Sequence, residues 1–138
     1  MIKTAVYAYW AKPFVEKDSY SNFQRRNDLL VSLKLSVLQA RKWFDKVVFY
    51  GDHEAIGQTC GVIDFDEVHD DLEKLNENEV PFYFWSFPKA FVCQKIKEPF
   101  VLIENDFYLW ERPTEKFLNA DLVVEDMHEV PPAFLTEI

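Results

Sequence analysis

Along the chain, apolar residues gather into short unbroken runs separated by one long stretch with a helical rhythm. Thr4 to Trp10 is β-rich and, lying at the very start, predicts a central strand. Lys12-Pro13 ends it, and the mixed composition from Phe14 to Gln24 predicts a loop above that strand. Asn27 or Asp28 is suited to an N-cap. After it, Leu30, Leu33, Val37, Ala40 and Phe44 recur at spacings of three and four, the stripe of a helix packed on a sheet. Asp45-Lys46 turns the chain into the buried-strand run Val47 to Tyr50, which stops at Gly51-Asp52. Strand, helix and strand joined this closely make a right-handed βαβ unit.

The second half is more broken. Residues 53–60 predict a short helix closed by Gly61 as a left-handed cap, and Phe65 to Leu72 an edge strand with Val68 and Leu72 on one face. Asp70, Asp71, Glu73, Glu77 and Glu79 read as a solvated acidic face. The aromatic run Phe82 to Trp85 suggests a dimer or partner surface. Ser86 and Pro88 then open a helix through Phe87, Ala90, Phe91 and Gln94 that ends near Lys95 and Lys97. The run from Pro99 to Asp106 reads as a central strand buried on both faces, with Glu104 and Asp106 at its C-terminal end. Pro113 to Leu118 gives a turn or short helix, Asp121 to Asp126 a last strand, and Pro131-Pro132 blocks regular structure beyond it. The pattern amounts to an α/β fold, mainly a parallel sheet with flanking helices, in a single domain spanning residues 1–138.

Composition narrows the function classes. A formal charge of -9 argues against binding a phosphate backbone, which depends on Lys and Arg displacing counterions, and points to a metal cation or a basic partner. Cys60 and Cys93 are far apart with no ligand spacing around them, so two buried free thiols in a reducing compartment are expected. The sequence pattern has neither an apolar leader nor a membrane span, so a soluble, cytoplasmic chain is expected. The glycines, Gly51, Gly57 and Gly61, form no phosphate-binding loop, which weighs against the other nucleotide-binding α/β classes.

The chemistry gathers at Glu104-Asn105-Asp106. On an extended strand these carboxylates share a side at about 6 to 7 Å. They would repel by roughly 2.5 kcal/mol at a dielectric of ~20 and about 0.6 in water. A divalent cation or a lysine relieves that repulsion, and hard oxygen ligands suit Mg²⁺ or Mn²⁺ held jointly with substrate phosphates.

Three segments together carry a resemblance: Tyr7-Ala8-Tyr9-Trp10-Ala11-Lys12-Pro13-Phe14, then Ala40 through Asp52, then Ile103-Glu104-Asn105-Asp106-Phe107-Tyr108-Leu109-Trp110 with Pro113 after it. In this order and spacing the chain resembles an uncharacterised bacterial family related to glycosyltransferases of the GT-A fold, whose acid-x-acid (DXD) motif holds a metal and the diphosphate of a nucleotide sugar. The resemblance implies the Rossmann-like N-terminal half of that fold. It implies Mn²⁺ or Mg²⁺ at Asp106 and Glu104, Tyr9 and Trp10 bordering the base, Asp52 facing base or ribose, and Lys89 near the phosphates or sugar. Core packing for Trp10, an N-cap for Asp52 and a solvated first-turn position for Lys89 are the structural alternatives. Glutamate stands where the motif has its first aspartate, and little chain follows it, so Glu125, Asp126 and His128 are the remaining candidates for a third ligand. Two functions follow: a nucleotide-sugar-binding domain, a glycosyltransferase if active, or a non-catalytic acidic module of the same fold that binds a protein partner.

Overall fold

The computed structural model describes residues 1–16, 23–81, 84 and 86–121. The elements run β1 (Thr4–Tyr9), α1 (Lys12–Glu16), α2 (Phe23–Ala40), β2 (Lys46–Gly51), α3 (His53–Thr59), β3 (Glu67–His69), α4 (Glu73–Glu77), α5 (Phe87–Lys95), β4 (Phe100–Leu102) and α6 (Glu115–Leu118). The four strands form one sheet in the order β3-β2-β1-β4, and every pairing is parallel. Thr4 lies between Lys46 on one side and Phe100 on the other. The α/β, mainly parallel, Rossmann-like architecture expected from the sequence is therefore present, with β1 inside the sheet.

Alternation along the strands divides the core in two. Ala5, Tyr7 and Tyr9 of β1 with Val47 and Phe49 of β2 face Leu33, Val37 and Ala40 of α2, Ala55 of α3 and Leu118 of α6. Val6 and Val48 face the other way, against Leu72, Leu75 of α4 and Val92 of α5. A strand covered on both sides must be apolar at successive positions, which is why β1 and β2 read as unbroken runs. Phe49 is fully buried and its ring stacks on Phe65 at 4.6 Å.

Several expectations give way. Lys12-Pro13 opens α1 instead of a loop, because proline in a first turn lacks only an N–H that has no helical partner there. α2 begins at Phe23, so Asn27 and Asp28 lie inside it and neither is its N-cap. No described glycine has a positive φ, and α3 closes on Cys60 at φ -71°, so Gly61 is not a left-handed cap. Val68 is 43 % exposed while Leu72 is buried beyond the end of β3, so the two share no face. Both cysteines are free, as expected, but exposed.

The largest correction concerns the stretch from Pro99 to Asp106. Its strand stops at Leu102 after three half-buried residues, and among the described strands it forms an edge of the sheet. One more bond, Ile103 N–H to the Val6 carbonyl at 2.9 Å, carries the pairing forward, after which the chain turns at Asn105-Asp106. Phe82, Tyr83, Trp85 and everything from Leu122 on, including the expected last strand, Glu125, Asp126 and His128, lie outside the described residues. No described helix is long and apolar enough to cross a membrane.

Candidate functional site at the carboxyl edge of the sheet

From β1 the chain winds outward through α2 to β2 and through α3 to β3, then crosses by α4 and α5 on the opposite face to β4 on β1's other side. The winding direction reverses between β1 and β4. In open parallel sheets that reversal leaves a crevice outside the carboxyl ends of the two strands, where ligands settle. Here one wall follows Tyr9-Trp10-Ala11 and the other is the Glu104-Asn105-Asp106 turn. The N-terminal turn of α5, whose helix runs back along the sheet, reaches the same edge, where the Lys89 ammonium is ion-paired with the Glu104 carboxylate.

The turn is held from below by α2. Phe107 N–H closes it by donating to the Glu104 carbonyl at 3.1 Å. The Ser32 hydroxyl donates to the Asn105 carbonyl at 3.4 Å, Ser36 donates to that of Phe107, and the Trp43 indole N–H to that of Leu109 at 3.1 Å. Alternate carbonyls of an extended strap thus meet serines one helical turn apart. Tyr7 shares the Ser36 hydroxyl at 2.8 Å, and its burial pushes the phenol up to about 12. Ser32 also meets the Tyr108 hydroxyl at 2.5 Å. Glu104 and Asp106 are exposed on this turn, so the strand geometry that put both carboxylates on one side at a fixed spacing does not apply. Asn105 Oδ1 is buried beside them with no hydrogen-bond partner.

Asp52 is the hub of the opposite wall. Fully buried, it is the N-cap of α3, accepting from Ala55 N–H at 2.9 Å. The same carboxylate accepts from Ala11 N–H at 3.2 Å and Lys12 N–H at 3.0 Å, and so caps the start of α1 from a different strand end. A fourth donor, Asn76 Nδ2 at 3.3 Å, comes from α4, and Asn76 Oδ1 in turn accepts the Trp10 indole N–H at 2.7 Å. Both carboxylate oxygens are thereby engaged by the protein. Trp10 is 5 % exposed and belongs to the core beneath α4, while Tyr9, 3 % exposed, donates its hydroxyl to Gln58 Oε1 at 3.3 Å. Of the residues singled out in the sequence, Lys89, Glu104 and Asp106 present charge at the surface of this edge. Tyr9, Trp10 and Asp52 shape it from within.

Sequence reasoning did not find Asn76, Ser32 or Ser36. Ser32 and Ser36 at i and i+4 within the mostly apolar stretch Leu29 to Leu38 were a usable signal, since a serine on a buried helix face needs a partner. Beyond the crevice, His53 at the head of α3 lies 3.2 Å from Asp70 and 3.5 Å from Glu73. The hydrogen bond to Asp70 raises its pKa above the usual histidine value. Among the described residues no three His, Cys, Asp or Glu side chains group closely enough to hold a metal ion by themselves. A separate cleft of about 630 Å³ opens under β4, between Met1-Ile2, Pro99 to Leu102 and the residues around α6, away from the acids.

Fold and site together define a small doubly wound α/β domain with a charged, pinned turn at its topological switch point. Residues 4–135 match the model of a family of unknown function, DUF6734, and the chain belongs to that family. No curated protein and no solved structure matches it.

Proposed function

We propose that the protein binds a nucleotide sugar in the crevice between β1 and β4, as a GT-A-like domain, with glycosyl transfer as its reaction if it turns over. The observation that carries this reading is topological: the Glu104-Asn105-Asp106 turn and Lys89 stand at the one place where the winding of the described sheet reverses. Lys89 supplies a cation for a diphosphate. Asp106, exposed on the turn, and Glu104, once its lysine moves to a phosphate, are oxygen donors. Two carboxylates fit Mg²⁺ or Mn²⁺ that takes its remaining ligands from phosphate and water, and do not fit a closed protein cage. When bound, such an ion would neutralise charge on the departing diphosphate. The chain's own part is to position: α2 fixes the turn through Ser32 and Ser36, and Asp52 fixes the loop after β1.

A thermal-shift series tests this. A nucleoside-diphosphate sugar with Mn²⁺ at ~100 times its dissociation constant should stabilise the fold by about 2.7 kcal/mol, a rise of about 9 °C for a domain of this size. Asp106→Asn should abolish the metal-dependent part. No shift with uridine, guanosine, cytidine or thymidine diphosphate sugars would refute the reading. The non-catalytic protein-binding alternative would then lead, supported by exposed aromatics flanking the same edge, Phe87 at 45 %, Phe107 at 41 % and Trp110 at 66 %.

A further inference from the structure

Lys89 and Glu104 come from different elements of the crevice. Lys89 stands in the first turn of α5, next to an N-cap, Ser86, whose side chain makes no capping hydrogen bond, and Glu104 opens the turn after β4. Their ion pair, with side chains 29 and 48 % exposed, sets the one cation suited to a diphosphate at this edge on a carboxylate suited to a metal. Each group is thereby occupied by the other. Asp106, exposed two residues on, forms no ion pair among the described residues, so the lysine is committed to one acid of the two. Beside them Asn105 Oδ1 is buried with no hydrogen-bond partner, an acceptor that the closed turn leaves unused. The pair is not what holds the two elements in place. Ser32, Ser36 and Phe107 N–H fix the turn from its own side, and Pro88 and Val92 anchor α5 in the core.

We propose that the Lys89–Glu104 ion pair is a latch that makes the crevice take a diphosphate and a divalent cation together and hold each of them poorly alone. The inference rests on the diphosphate-and-cation part of the reading above. An ammonium on a flexible four-carbon stem changes partner with no backbone movement. The positive end of α5 favours an anion at the first turn, where the lysine meets it. When Lys89 turns to a phosphate, Glu104 is uncovered with its full charge beside Asp106. When the two acids hold a cation, Lys89 is displaced toward the phosphate. Coupling between two ligands is reciprocal, so the same factor applies whichever is added first. For an ion pair this exposed the factor is about two to five.

Calorimetric titration of the full-length protein with Mn²⁺ alone, and separately with inorganic pyrophosphate in the presence of a chelator, reads the two halves of the latch. Lys89→Met uncovers Glu104 and should tighten Mn²⁺ about two- to fivefold while weakening pyrophosphate. Glu104→Gln releases the lysine and should tighten pyrophosphate by a similar factor while weakening Mn²⁺. Asp106→Asn makes the same change of charge without releasing Lys89, so it should weaken Mn²⁺ and leave pyrophosphate close to the parent value. Equal gains in pyrophosphate affinity in Glu104→Gln and Asp106→Asn overturn the latch, because a general field produces them. Unchanged Mn²⁺ affinity in Lys89→Met overturns it as well, as does the absence of binding of either probe to parent and variants alike. The nucleotide-sugar reading falls or stands separately. A metal-dependent thermal shift with a nucleoside-diphosphate sugar, together with uncrossed responses here, removes the latch and keeps that reading, whereas crossed responses without any such shift keep the latch and remove the sugar.

Discussion

Asparagine in place of Asp52 separates two roles that an alanine would confuse. As an N-cap, asparagine is as good as aspartate, so if capping α3 were the whole function the change would be nearly neutral. The structure demands more. In the parent, one carboxylate oxygen receives Ala11 N–H and Ala55 N–H, and the other receives Lys12 N–H and Asn76 Nδ2. The asparagine oxygen keeps the first pair, which leaves its own amide group facing two donors. Asn76 cannot turn its oxygen toward the new amide without releasing the Trp10 indole, held at 2.7 Å. Two stranded donors at about 1 to 3 kcal/mol each give a loss of roughly 2 to 6 kcal/mol. Urea unfolding followed by tryptophan fluorescence should show a lower midpoint at an unchanged slope. A loss below about 1 kcal/mol, within the range of an ordinary surface substitution, would refute the double-capping account.

Three further outcomes follow from described contacts. Gly51→Ala places a Cβ 2.9 Å from the Phe49 ring and 3.1 Å from Ala55, between side chains already packed, so urea unfolding should show a loss of about 1 to 3 kcal/mol. Ser36→Ala removes the partner of the Tyr7 hydroxyl and one tie of the strap. It should cost about 1 to 3 kcal/mol and speed hydrogen exchange across 104–110 more than in β1 or β2, a contrast that uniform destabilisation would not give. Stability against pH should fall away at both ends. The Val47 N–H and Arg41 hold the Asp66 carboxyl below the usual range, so its contribution is present above the unfolded carboxylate value and lost as pH falls through the folded one. Tyr7, pushed up to about 12 by burial, stays protonated where the unfolded phenol ionises, so stability declines as pH rises from about 10 toward 12. Asp66→Asn should flatten the acid limb and Tyr7→Phe the alkaline one in pH-resolved denaturation curves.

β1, β2 and α2 were legible because local pattern and burial agree there: strands covered on both faces have no polar position to interrupt them, and α2 keeps its inner stripe, Leu29 to Ala40, for about three turns. β4 was legible in place but not in length. Its apolar run continues through Ile103, yet the ladder ends because the Asn105 and Phe107 carbonyls turn to α2, that of Leu109 to Trp43 just after it, and all three away from a strand. The acceptors are backbone carbonyls, which leave no trace in the sequence around β4; only the spacing of the serine donors, on a distant helix, hints at them. α1 was missed because Pro13 reads as a stop when its neighbour on one side only is considered; what starts that helix is Asp52, forty residues further on. At the edge, Lys89 and Glu104 were both named from the sequence, but their pairing depends on how α5 lies across the sheet. Asn76 had no local signal at all, since its partners Trp10 and Asp52 come from two other strand ends.

The position of β1 also sets the order in which the molecule can be assembled. Of the described strands it is the first to leave the ribosome, yet Thr4 finds one partner at Lys46 and the other only at Phe100. Parallel pairings between such distant segments are slow, because the loop must be closed before the contacts repay it. A nascent chain can complete the β1-β2 half early and must then keep β1's other edge unpaired until β4 has been translated. The crevice is thus built last, and a chain halted before β4 would expose the flank of its own central strand.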